Sequence, residues 1–481
     1  MRNFIYKLLN QKIKRTAQVA PFLISSLLVN CSHNSEGTQP QSEKLKQESN
    51  GMVHLEVKKY TLPNGLKLLV YENHKLPIFS YYTFFDVGGR HEGKGTTGAT
   101  HFLEHLMFKG AKKYGPGQFN FLIEGNGGRT NAYTNFDNTV YYEDLPIVSE
   151  SQDMVEKVID IEADRMANLA LVPEAFEKER NVVLEERKMR YENRPGGKLY
   201  LAMMQAMFEG TPYGGSVIGS VEDLKSLSRE HVRDYFKKFY TPDNATIVVA
   251  GDVEADEVYD MVVDKYGDMN ASSKEIQKYR KSRDNPELYK HRAKYQRHIK
   301  IKGNSKNPLF MLSYPSVAMG DHKGYVLDML SSILGSGESS FLNEKYVSNR
   351  RPILSSVSAG NYTLKYSGVF YIEGELLPKK GIYWFKNQLI KDLKKSCDTA
   401  IDARTLQKTK NQYLVSFVGG LDSNNGIAHF LGLRENFFND YAYYKKELDI
   451  YQAITVDEVK SACKELFSSD KYIMTSVWAK H

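Results

Sequence analysis

The sequence predicts an α+β fold built twice over. Three observations carry that expectation. A hairpin, a strand and a helix-like run follow one another between Lys58 and Phe108. Further on, strand-like runs alternate with long charged stretches of helical character. Most directly, Leu227 to Tyr240 (LSREHVRDYFKKFY), with a turn and a strand to Gly251 behind it, lies ungapped over Ile454 to Phe467 (ITVDEVKSACKELF), which is followed by a turn and Tyr472 to Val477. An echo of that length marks a repeated unit, and 481 residues are too many for one small core.

In chain order, residues 1–30 read as a signal peptide or lipoprotein signal. Arg2, Lys7, Lys12, Lys14 and Arg15 precede the apolar run Val19 to Val29, and no acidic residue occurs before Glu36. That run is too short to span a bilayer comfortably. Leu28-Val29-Asn30-Cys31 resembles the lipobox of bacterial lipoproteins, with Asn30 where a small residue is usual, and residues 31–54 read as a polar tether. The expectation is a bacterial periplasmic protein, lipid-anchored through Cys31; a signal anchor and a mitochondrial presequence are the alternatives. The net charge of +7 combines this basic start with helices of mixed sign, which argues against nucleic acid as a partner. Cys397 and Cys463 fall in helix-like stretches and are expected as buried free thiols rather than as a disulfide.

The globular part opens at Lys58. The Asn64-Gly65 turn separates two strand-like runs, Ile78 to Val87 follows, and a glycine-rich stretch leads into the apolar run Ala99 to Phe108. Inside that run stands His101-Phe102-Leu103-Glu104-His105. On a helix, His101 and His105 share one face, where two imidazoles can grip one ion, and Glu104 is close enough to take a proton from water held there. Histidines on an apolar helix are ordinarily satisfied core residues. A carboxylate buried beside two of them is costly unless something binds all three, so the ordered H-x-x-E-H favours a metal. A further ligand must then come from elsewhere in the chain.

Beyond this run, Gly125 to Gly128 sets off Arg129 to Thr134, and a second strand-like run spans Asn138 to Tyr142. A polar strand of this kind either lies at a sheet edge, offering backbone groups to an extended peptide, or forms a plain hairpin. Pro173 suits the first turn of a helix reaching Asn193, and Pro195-Gly196-Gly197 is expected to stop it. Glu179 and Glu186 share a face of this helix two turns apart, whereas Glu185 is turned about 100° away. By themselves these acids read as a solvated face.

Taken together, H-x-x-E-H at 101–105, Asn131-Ala132-Tyr133-Thr134, the run Glu179 to Glu186, Tyr213-Gly214-Gly215 with Val217-Ile218-Gly219, and Tyr240 to Asn244 before Ile247 to Gly251 resemble the inverted-zincin peptidases. That family includes pitrilysin, insulin-degrading enzyme and the mitochondrial processing peptidase, and the chain looks like a short bacterial form from about residue 55 to its end. The resemblance implies two homologous halves, each an antiparallel-rich sheet packed with helices on one side. The expected divisions are a catalytic zinc half at 55–266, a charged and structure-poor linker at 267–290, and a metal-free half at 291–481. In that second half Tyr325 to Met329 stands where the first has its metal motif.

Carried over residue by residue, the resemblance makes His101, His105 and Glu186 the ligands of one Zn²⁺ per chain. It makes Glu104 the general base, Glu179 an acid behind the ligands that keeps the site in shape, and Asn131, Ala132, Tyr133 and Thr134 the substrate-binding strand. The implied function is a zinc metalloendopeptidase that cleaves short or unfolded peptides by Glu-assisted attack of water. A non-catalytic structural or chaperone-like subunit is the alternative. Family members that complete the site alone or as homodimers carry an Arg and a Tyr near a Gly-x-Gly-x-Ser-Ser stretch. Here Gly335 to Ser340 is followed by Val347 and Ser355 at those places, with Arg350 and Arg351 out of register. The implied partner is a homologous subunit without zinc that supplies both residues in a heterodimer; a homodimer is the alternative.

Overall fold

The structure, a computed structural model, describes residues 53–147, 154–303, 305–377 and 381–478. The targeting segment, Cys31 and almost all of the tether lie outside them.

The first half opens with the hairpin β1 (Lys58–Thr61) and β2 (Lys67–Glu72), followed by β3 (Ile78–Phe85) and the motif helix α1 (Ala99–Leu106). After α2 (Gln118–Gly125) come β4 (Arg129–Thr134) and β5 (Thr139–Pro146). Helices α3 (Met154–Ala167), α4 (Pro173–Arg187), α5 (Pro195–Met207), α6 (Val221–Ser226) and α7 (Arg229–Phe239) then lead into β6 (Ala245–Gly251), α8 (Ala255–Tyr266) and α9 (Lys274–Arg283). Six strands form one sheet in the order β1-β2-β6-β3-β5-β4, antiparallel except where β2 runs parallel to β6. Every residue of β6 is buried, as a strand covered on both faces must be.

The second half repeats the plan. Its elements are β7 (Arg297–Lys302), β8 (Leu309–Ser316), α10 (His322–Gly335), α11 (Phe341–Tyr346), β9 (Leu354–Thr363) and β10 (Gly368–Leu376), then α12 (Ile382–Thr399), α13 (Ala403–Gly419), α14 (Asn424–Phe438), α15 (Tyr443–Ala453), α16 (Val456–Ser468) and β11 (Ile473–Trp478). The sheet order β7-β11-β8-β10-β9, with β7 and β11 parallel, is that of the first sheet without β1. The echoed segments become α7–β6 and α16–β11, and each helix is capped by a hydroxyl, Ser228 in one and Thr455 in the other.

On one side of each sheet lie helices of its own half. Leu68, Val70, Tyr81 and Val249 meet Phe102, Leu103, Ile159 and Val258 in the first core, and Leu312 and Ile372 meet Leu330, Leu393 and Leu466 in the second. The opposite faces are covered by exchange. Helix α14 of the second half sets Ile427, Ala428 and Leu431 against Leu69, Phe84 and Val248 of the first sheet. In return α5 of the first half sets Leu199, Met203 and Met207 against Met311, Val369 and Val477. Each such side chain taken from water contributes about 1.5–3 kcal/mol, so each half depends on the other for several of these contributions. Gly432 allows α14 to approach the first sheet closely: a Cβ there would lie 2.0 Å from the Phe84 ring.

Two expectations are corrected, for the two cysteines and for the stretch 267–290. Cys397 on α12 and Cys463 on α16 form a disulfide, because the two helices pack side by side and bring Cα atoms 66 residues apart to 5.5 Å. The helix that begins at Pro173 does end before Pro195-Gly196-Gly197, which forms the first turn of α5, where Gly197 passes so close to the carbonyl of Arg190 that no Cβ would fit. The stretch 267–290 is not structure-poor. Ser273 caps α9, the Arg280 guanidinium donates to the carbonyl of Lys238, and Arg283 donates to the carbonyls of Arg90 and Glu92. Buried Arg90 in turn meets Asp137 at 3.1 Å and Asp284 at 3.0 Å. Charge there is a means of fastening rather than a sign of solvation. Among the described residues, no helix is long and apolar enough to cross a membrane.

Candidate metal centre

Helix α1 is short and buried on nearly every side; of its residues only His105 is partly open. Gly98, with φ +90°, turns the chain into it, a conformation that favours glycine. The adjacent helix α4 is mostly exposed but buries Phe176, Glu179 and Val183. Its apolar positions anchor it while Glu179 and Glu186 face α1. The face that reads in sequence as solvated therefore turns two of its acids toward the α1 histidines.

His105 is held between the two acids. Its Nδ1 lies 2.9 Å from Glu179 Oε1, and its Nε2 lies 3.2 Å from Glu186 Oε2. His101 Nε2 approaches the same Glu186 oxygen at 3.7 Å. That oxygen is buried and has no hydrogen-bond donor, so the 3.2 Å contact is an ion pair without hydrogen-bond geometry. Ligand atoms of His101, His105 and Glu186 all lie within 4.8 Å of one another. Two imidazole nitrogens and a carboxylate oxygen converging on one point, with the oxygen orphaned, fit a zinc ion better than they fit each other. Glu185 is exposed, 3.6 Å from Lys188, and takes no part.

The electrostatics follow from burial and these contacts. Burial and the neighbouring His105 push the His101 imidazole down to about 3, so the neutral ring keeps one nitrogen lone pair available. Burial acts in the same sense on His105, but Glu179 and Glu186 outweigh it and raise the ring to about 9. A cation arriving there would take the place of the Nε2 proton. Burial disfavours ionised Glu186, yet contact with His105 and the charges of His101 and Arg190 hold it down to about 2. Burial pushes Glu104 up to about 6, with the Thr134 hydroxyl and His105 acting against it.

Two basic residues absent from the sequence reading complete the cluster. Lys109 Nζ lies 2.9 Å from Glu179 Oε2, and an Arg190 nitrogen lies 2.6 Å from Glu186 Oε1. Arg190 stands four residues after Glu186, a legible helical spacing, although here it falls in a π-helical turn, Lys188–Glu192, that continues α4. Lys109 lies beyond the end of α1, where no periodicity points to it.

The four residues of the expected substrate strand all lie on β4, the outermost strand of its sheet. Their side chains are largely engaged within the chain. Asn131 Oδ1 accepts from the Ala132 N–H, the Tyr133 hydroxyl meets His429 Nε2 on α14 at 2.8 Å, and the Thr134 hydroxyl donates to Glu104 Oε2 at 2.5 Å. Among the described residues no strand pairs with the outer edge of β4, so what it offers is backbone. In the second half Val347 follows α11, Ser355 lies exposed in β9, and Arg350 and Arg351 are exposed in the loop between.

Fold and site together define a twofold-repeated α+β protein whose first half carries a candidate metal centre at His101, His105 and Glu186. Comparison with known proteins makes the class specific. Residues 69–221 match the family described as Insulinase (Peptidase family M16), and residues 226–413 match its companion, Peptidase M16 inactive domain. The chain belongs to peptidase family M16, the pitrilysin family, in a form of bacterial size.

Among its relatives is Zinc protease PqqE of Helicobacter pylori, 28% identical over 371 residues, which are 76% of this chain and 81% of that protein. The uncharacterized zinc protease YmxG of Bacillus subtilis is 25% identical over 86% of this chain and 96% of its own length. The mitochondrial-processing peptidase subunit beta of Blastocladiella emersonii is 33% identical over 212 residues, 44% of each chain. Solved structures agree in fold: a protease from Helicobacter pylori superposes with a TM-score of 0.80 at 24% identity over 88% of this chain and 99% of that one. The periplasmic protease PqqL from Escherichia coli does so with 0.69 at 18%, over 89% of this chain and 48% of that one.

Proposed function

We propose that the protein is a zinc endopeptidase acting on short or unfolded peptides, with one zinc held by His101, His105 and Glu186. The observation that carries this reading is the convergence of two imidazole Nε2 atoms on a buried, donorless carboxylate oxygen. Bound there, zinc supplies Lewis-acid activation toward water and the scissile carbonyl. Glu104 accepts the proton of the attacking water and passes it to the leaving amine. Glu179 orients His105 through Nδ1, with Lys109 offsetting its charge. The peptide lies extended on the outer edge of β4, adding a strand to the sheet.

A homologous subunit without zinc supplies the Arg and Tyr missing at Val347 and Ser355. Several relatives are named as beta subunits of a processing peptidase, which supports a two-chain enzyme. The Cys397–Cys463 disulfide favours an oxidising compartment, in keeping with a periplasmic location.

The test is zinc content and cleavage of a quenched extended peptide by the purified full chain, wild type and Glu104→Gln. One zinc per chain in both, with cleavage lost in the variant and on chelation, is the expected result. Zinc without cleavage in the wild type points to the missing subunit. No zinc, or an E104Q chain that cleaves like wild type, overturns the assignment.

A further inference from the structure

We infer that Thr134 is a positioning residue for Glu104: its hydroxyl ties one carboxylate oxygen to the end of strand β4 and leaves the other to accept a proton. The inference rests on the reading of Glu104 as the base. Thr134 Oγ1 lies 2.5 Å from Glu104 Oε2, and among the described residues no other group donates a hydrogen bond to Glu104. Oε2 is thus held by one donor while Oε1 is left without a protein donor among the described residues, although a carboxylate can accept several.

The second half supplies an internal comparison. Asp328 on α10 stands where Glu104 stands on α1 when Tyr325 to Met329 is laid over the metal motif, and β9 is the outermost strand of its sheet as β4 is of the first. There too a strand residue is tied to the helix acid: Asn361 donates to Asp328 Oδ1 at 2.9 Å. A second donor, the Tyr451 hydroxyl, holds Oδ2 at 2.7 Å. The tie between edge strand and helix is thus common to both halves. In the metal-free half both oxygens are occupied, and in the first half only one is. The difference lies at the oxygen a base requires.

Thr134 is also the last residue of the strand along which the peptide is proposed to lie. A peptide that fixes β4 fixes the position of the Thr134 hydroxyl, and with it the Glu104 carboxylate. Peptide docking and alignment of the base are thereby linked through one side chain.

Three variants of the full chain, with its partner subunit if activity requires one, test this. Thr134→Val keeps the shape and removes the donor. It is expected to keep one zinc per chain with unchanged affinity, to leave KM within about twofold, and to lower kcat by roughly 10–100-fold, part of the ~10²–10⁴ a general base supplies. Thr134→Ser, which keeps the hydroxyl, is expected to restore most of kcat. In metal-free crystals the Glu104 carboxylate should leave its place in T134V and keep it in T134S. Should T134V fail to fold, Thr134→Ala gives the same comparison. Wild-type kcat in T134V beside an inactive E104Q overturns the positioning role and leaves the peptidase reading standing. A defect that T134S does not relieve overturns it as well, because the hydroxyl would not be the cause. An active E104Q overturns the reading beneath it.

Discussion

Glu179 Oε1 lies 2.9 Å from His105 Nδ1, so the ring donates backward to an acid on α4 while its other nitrogen faces Glu186 on the same helix. Seven residues of helix span about 10 Å, roughly the reach needed to hold a ring from both ends. Glu179→Gln is therefore expected to weaken zinc binding about 10–100-fold, measured by competition with a chelator, because the ring loses its fixed orientation and a charge. Unchanged zinc affinity would remove Glu179 from the site.

Glu185 and Glu186 are neighbours with opposite fates. Glu186→Gln should abolish stoichiometric zinc, read by metal analysis after dialysis. Glu185→Gln should retain it, with stability changed by less than about 0.5 kcal/mol, as for an exposed residue outside any network. The reverse result would mean that the helix is rotated by one residue.

His429 on α14 is pushed down to about 4 by burial, with Arg434 adding to the effect. Its unfolded value is 6.5, so below that pH the unfolded chain binds the proton first and the native state loses stability. The loss begins near pH 6.5, grows as the pH falls, and stops growing below about 4, at roughly 3 kcal/mol at most. Denaturant unfolding of wild type and His429→Gln between pH 4 and 7 should show a shallower acid slope in the variant. Identical slopes would exclude His429 as the source.

Residues 397 and 463 give a further expectation. A bridge closing a loop of this length constrains the unfolded chain, and Cys397→Ser with Cys463→Ser should cost about 2–4 kcal/mol by denaturant titration. Mass spectrometry of the untreated protein should find no free thiol at either position. Two alkylatable thiols in protein prepared without reductant would contradict the pairing.

Much of this was legible in the sequence because it rests on short-range order. The H-x-x-E-H spacing on an apolar run fixes which side chains share a helix face, and the E-x6-E spacing does the same for α4. The repeat between Leu227–Tyr240 and Ile454–Phe467 identifies equivalent elements in both halves, since similar patterns of cap, apolar stripe and strand fold alike. Asn131 to Thr134 reads as a strand beside a glycine-rich break, and it is one.

What the sequence could not decide are relations between segments far apart in the chain. Glu186 reads as solvated until α4 is laid against α1, because a charged face is the same string of letters whether it meets water or two imidazoles. Cys397 and Cys463 pair because two helices happen to lie side by side on the second sheet. The charges of 267–290 look like a structure-poor linker, yet they fasten α9 to neighbouring carbonyls. That α14 and α5 are exchanged between the halves, and that the Thr134 hydroxyl reaches Glu104, depends on how the sheets are covered. Packing decides such contacts, and packing is a property of the whole chain rather than of any stretch of it.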